Sequence, residues 1–136
     1  MDRVLVPMDR SSHARAALRE ALELFPEAEI HVLHVLQITK PEGTATQSGD
    51  ELAAETADEV LDAAVDIAAQ YARSVRTTVL EGHAAKTILA YADQHDIDHI
   101  VVGSRGSSGL SRLLLGSVAE SVARRSPCSV TIARPA

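Results

Sequence analysis

The residues best placed to do chemistry lie between His99 and Glu120, in the stretch HIVVGSRGSSGLSRLLLGSVAE. A run of β-favouring residues enters Gly103, Gly106 and Gly109 follow at three-residue intervals, and Gly116 is followed directly by Ser117. Four of these residues, Gly103, Gly106, Gly116 and Ser117, make the pattern G-x2-G-x9-G-S. Glycines let a backbone approach an anion and adopt positive φ without steric cost, so successive N–H groups can turn toward phosphate oxygens. Ser117 opens a predicted helix, whose first amides and dipole favour negative charge. The stretch has no lysine, so backbone amides must do the work of a lysine clamp, with Arg105 available for a charge-assisted bond to phosphate. Ser117-Val118-Ala119-Glu120 equally fits the S-x-x-E capping box of an ordinary helix. Either half of the pattern alone is weak; the combination is specific.

Other chemistries fail on spacing. A Walker A loop needs a Gly-Lys pair, and none occurs. The dinucleotide fingerprint needs G-x-G-x-x-G, which the evenly spaced glycines never form. No serine sits in G-x-S-x-G. A phosphoacceptor receiver domain needs paired acids after its first strand and a lysine after its fifth; here Asp9 stands alone and Arg134-Pro135 closes the chain's last apolar run. His31 and His34 are three apart on a predicted strand, which sends them to opposite faces, and a lone Cys128 supports neither a disulfide framework nor a thiolate cluster.

The elements that must position these residues follow from the apolar pattern of 136 residues, a length and composition suited to one domain spanning 1–136. Arg3 to Pro7 predicts a strand, and Ala14, Ala17, Leu18, Ala21, Leu22 and Phe25 share one face of a helix capped by Ser11 or Ser12. Glu29 to Leu36 predicts a second strand, dense in Val, Ile and Leu as for a parallel strand covered on both faces. Lys40 to Gly49 predicts a loop, ended by Asp50 as the cap of a helix running to about Arg73 with Leu52, Val60, Ala64, Ile67 and Tyr71 inward. Val75 to Leu80, Ile100 to Val102 and Cys128 to Ala133 predict three more strands, with a short helix through Ile88, Leu89 and Ala92 and a last one from Ser117. The alternation is that of an α/β fold, a mainly parallel doubly wound sheet with helices on both faces. Ligands of such sheets bind beyond the carboxyl ends of the strands where the winding reverses, which singles out Pro7-Met8-Asp9 and the glycine loop. Asp9 there suits a ribose hydroxyl or a nucleotide-bound magnesium.

The net charge of −6 argues against nucleic acid or anionic lipid as a partner, and 2% aromatics argue against base stacking. No apolar run approaches the roughly 18 residues that span a bilayer, and the amino terminus lacks signal-peptide regions, so a cytoplasmic protein is expected.

The motif, the opening VLVPMDRS, His34-Val35, the lone Gly82 and DHIVVG from Asp98 to Gly103 together resemble the universal stress protein family, in its ATP-binding branch, over nearly the whole chain. The resemblance implies a five-stranded parallel sheet in the order 3-2-1-4-5. It implies ATP as ligand, with Asp9 open to a ribose hydroxyl or to a nucleotide-bound Mg2+: Pro7, Met8 and Asp9 along the adenosine, Val35 offering its backbone to the adenine edge, and Val102, Gly103, Arg105, Gly106, Gly116, Ser117 and Val118 around ribose and phosphates. Ala84 stands where many members have proline, a departure expected to touch a helix start and not the nucleotide site. A stress-response or signalling switch with slow or absent hydrolysis, and a homodimer through the carboxyl-terminal strand, are the functional expectations. The alternative is a dimeric scaffold that binds no nucleotide.

Overall fold

Alternation along the strands divides the core. In the computed structural model, which describes residues 2–37, 47–105 and 115–135, β1 (Arg3–Pro7) sends Val4 and Val6 to one face and Leu5 to the other, all fully buried. Such a strand must be covered on both sides. α1 (Ser12–Leu24) covers one face with Ala14, Ala17, Leu18, Ala21 and Leu22, the stripe read from the sequence. Ser11 caps it, its Oγ accepting the Ala14 N–H at 3.1 Å.

β2 (Glu29–Gln37), β3 (Arg76–Gly82), β4 (His99–Gly103) and β5 (Ser129–Ala133) complete a sheet in the order β3-β2-β1-β4-β5, with every pair parallel. α2 (Gln47–Gln70) joins α1 on the face of Val4, Val6, Ile30 and Val32. α3 (Ala84–Gln94) and α4 (Ser117–Arg125) cover the face of Leu5, Leu33, Ile100 and Val102. Among the described residues, no helix is long and apolar enough to cross a membrane.

Two expectations are corrected. α2 begins at Gln47, so Asp50 lies inside it and does not cap it; the glycine at 49 costs only about 1 kcal/mol in a helix, which propagation over 24 residues offsets. Leu52 is 63% exposed, and among the described side chains of α2 the first buried one is Ala57. A helix of this length spans about 36 Å, longer than the strands beneath it, so Leu52 has no sheet to bury against. β3 lies at an edge, where the implied strand order put it, and leaves both Val79 and Leu80 exposed.

Candidate functional site

β1 and β4 are neighbours, and the chain leaves them for opposite faces of the sheet, toward α1 and α4 respectively. Two crossovers diverging from adjacent strand ends leave a crevice between them. A cleft of about 560 Å³ opens there, within the range of small-molecule and cofactor sites.

Its walls draw on several elements. Pro7 ends β1 with Met8 and Asp9 after it, Val35 lies near the end of β2, Val102, Gly103 and Arg105 come from the exit of β4, and Gly116, Ser117 and Val118 form the start of α4. Of the residues singled out in the sequence, Gly106 lies outside those the structure describes. Ala84 also lines the cleft, at the start of α3. This corrects the expectation that its departure from proline is remote from the site: the turn after β3 reaches the same opening.

At the β1 end, Met8 donates its N–H to Leu33 O at 2.8 Å and accepts from His34 Nδ1 at 2.8 Å. A carbonyl can only accept, so neutral His34 carries its proton on Nδ1. Asp9 Oδ1 accepts the Ser11 N–H at 2.8 Å, which shapes the entry to α1. Among the described residues no group of three His, Cys, Asp or Glu side chains could hold a metal ion. A metal brought by a ligand would meet Asp9 as a single carboxylate.

Val35 owes its place to register. The last β1–β2 pair is Pro7 with Leu33, and Leu33 turns its carbonyl toward β1 to meet Met8. Two residues on, Val35 faces the same side by the strand's period of two, beyond the end of β1. Its N–H and C=O therefore address the cleft.

The glycine loop is closed at its base: Gly116 donates its N–H to Ser104 O at 2.8 Å, and Ser104 donates its own to Ala133 O at 2.8 Å. Positive φ is not what Gly103 and Gly116 supply. Gly116 has φ −63° and ψ 152°, and Gly103 is the last residue of an extended strand. What Gly103 requires is the absence of a Cβ, which would stand 2.8 Å from the backbone carbon of His13. The close approach is to α1.

At α4 the capping box does not form. Gly116 is the N-cap and has no side chain with which to cap the helix, and Glu120 Oε1 instead accepts from Arg124 Nε at 3.0 Å. Ser117 is thus the first helical residue, exposed in the cleft wall. The first N–H groups of a helix have no intrahelical partner, and here they border an open cavity.

Sequence reasoning missed His13 and Ser104. His13 Nδ1 lies 2.9 Å from Ser104 Oγ, and its Nε2 lies 2.9 Å from Arg105 Nη2. Burial first, then the Arg105 charge, holds His13 below the usual imidazole range. No local signal marks this contact, because it joins residues 91 and 92 positions apart.

A doubly wound parallel sheet with a cleft of this size at its reversal point places the chain in the class of open-sheet α/β proteins. The profile of the universal stress protein family matches residues 1–134, and the chain belongs to that family. It is 34% identical over 150 aligned positions to universal stress protein YxiE of Bacillus subtilis strain 168, covering 98% of this chain and 99% of that one. Among solved structures, universal stress protein UspA from Lactobacillus plantarum superposes with a TM-score of 0.87 at 30% identity, covering 98% of this chain and 97% of that one. The universal stress protein from Archaeoglobus fulgidus, solved in complex with dAMP, superposes with a TM-score of 0.69 at 27% identity over 98% of this chain and 97% of that one.

Proposed function

We propose that this chain binds an adenine nucleotide, ATP with Mg2+, in the cleft between β1 and β4, and acts in the cytoplasm as a one-domain, dimeric stress-response or signalling switch. The observation that carries the reading is the start of α4: a helix N-terminus whose cap is a glycine and which lines the same cleft as Val35. The helix supplies amides and a dipole suited to phosphate. Val35 supplies a backbone donor and acceptor suited to the edge of a purine. Arg105 adds a cation, and Asp9 is the carboxylate for a ribose hydroxyl or for the magnesium. The dAMP bound by the Archaeoglobus fulgidus relative belongs to the same ligand class.

Little here favours phosphoryl transfer. Among the described lining residues Asp9 is the single carboxylate, and its Oδ1 already accepts from Ser11. Turnover is therefore expected far below the ~1–10³ s⁻¹ common to enzymes. Mass spectrometry of nucleotide released on denaturing the purified protein, with calorimetric titration of ATP, tests the reading. An empty protein that takes up no adenine nucleotide would leave the nucleotide-free scaffold in its place.

A further inference from the structure

Three consecutive residues at the exit of β4 are all fitted to one side chain of α1. Gly103 lets the backbone of His13 come within 2.8–2.9 Å of where a Cβ would be. Ser104, buried, meets His13 Nδ1 at 2.9 Å, and Arg105 meets Nε2 at 2.9 Å. A guanidinium only donates hydrogen bonds, so Nε2 must be the bare nitrogen. The single imidazole proton then sits on Nδ1 and is donated to Ser104 Oγ.

Resting on the nucleotide reading above, we propose that His13 is a positioning residue: in its neutral Nδ1–H form it helps to orient Arg105 at the cleft for the anionic end of the ligand, and protonation breaks that contact. Arg105 lines the cleft together with Gly116 and Ser117. An arginine already held at its guanidinium gives up less rotamer freedom when it meets a phosphate. The groups facing His13 are Arg105 after β4, Arg134 after β5 and Asp9 before α1. Both arginines and burial favour the neutral ring, and Asp9 opposes them. A protonated His13 has no lone pair for Arg105 and sets a cation against it, so the contact works only with the neutral ring.

The test uses the full chain and two probes, ADP and adenosine. His13→Ala is expected to lower ADP affinity by about tenfold, the worth of a hydrogen bond to a charged group, and to leave adenosine affinity unchanged. His13→Gln keeps an acceptor for Arg105 but cannot titrate. It should bind ADP within about twofold of the wild type near pH 7.5, and the wild-type advantage over His13→Ala should be lost as pH falls through the His13 pKa, while that of His13→Gln persists. Nitrogen-15 NMR of the ligand-free protein should show the Nδ1–H tautomer, with a pKa below 6.5 that rises in Arg105→Gln. An Nε2–H tautomer, or ADP affinity indifferent to His13→Ala, overturns the inference while leaving the nucleotide site standing. Failure of the wild type to bind either probe overturns both.

Discussion

A methyl group added at Gly103 would stand 2.8 Å from the backbone carbon of His13 and 2.9 Å from its carbonyl oxygen, distances that only a shift of α1 or of the β4 end can relieve. Overpacking of this kind costs about 1–3 kcal/mol. Gly103→Ala should lower the urea midpoint accordingly, and a variant as stable as the wild type would show that the two segments separate freely. A second prediction concerns His31, which is 1% exposed beneath α3. Its Nδ1 lies 2.6 Å from the Tyr91 hydroxyl, and its Nε2 makes no hydrogen bond although Glu29 Oε2 is 3.3 Å away. Burial holds the ring below the usual imidazole range, against the smaller upward pull of Glu29, and burial does the same at His99. Because the unfolded chain takes up these protons near pH 6.5 and the folded one only at lower pH, stability should be full above about pH 6.5 and decline as pH falls through the folded pKa values. Urea unfolding at a series of pH values checks this; a flat profile between pH 7 and 5 would refute it. Tyr91→Phe keeps the ring stacked on His95 at 3.8 Å but strands the His31 Nδ1. It should cost about 1–3 kcal/mol at neutral pH by the same measurement.

The start of α4 allows an element-scale test of the nucleotide reading that spares the fold. Ser117 is the first helical residue, where proline is well tolerated because its N–H has no intrahelical partner. Gly116 at ψ 152° already has the extended backbone that a following proline demands. Ser117→Pro should thus unfold within about 0.5 kcal/mol of the wild type yet lose one amide and one hydroxyl facing the cleft, weakening ATP binding about tenfold in calorimetric titration. Undiminished affinity in the folded variant would remove α4 from the phosphate site. The existence of α4, and the strand before its loop, were legible because they depend on local pattern: an apolar run closing on glycine, and Ser117 opening an amphipathic segment. The α1 stripe was legible for the same reason. Leu52 was not, since its burial depends on how far the sheet extends beneath α2. The role of Gly103 was not either, because the residue it makes room for belongs to α1, far away in sequence. At Ser117 a local rule misled: S-x-x-E suggested a capping box, but Gly116 takes the cap and Glu120 pairs with Arg124.

At the scale of the whole molecule, the sheet ends among the described residues at β3 and β5, and sheet edges invite another strand. β3 carries Arg76 and Glu81 within its seven residues, charges of the kind that discourage pairing. β5, SVTIA, carries no charge, proline or glycine, and its Val130 and Ile132 are only half-buried against the α3–α4 core. A two-fold mate could add its own β5 antiparallel and cover both. The hydrogen-bonding directions identify the right variant. Ala133 turns its carbonyl inward to the Ser104 N–H, so by the period of two Thr131 also faces β4, while Val130 and Ile132 point their N–H and C=O groups outward. Proline at Thr131 would damage the monomer's own β4–β5 ladder, whereas Val130→Pro removes a donor from the open edge alone. Val130→Ala serves as control, since it trims the same side chain and keeps the N–H. Light scattering after size exclusion at micromolar concentration should give a dimer mass for the wild type and for Val130→Ala, and a folded monomer for Val130→Pro. A monomeric wild type would rule out the dimer. A Val130→Pro protein that remains dimeric would move the seam away from β5.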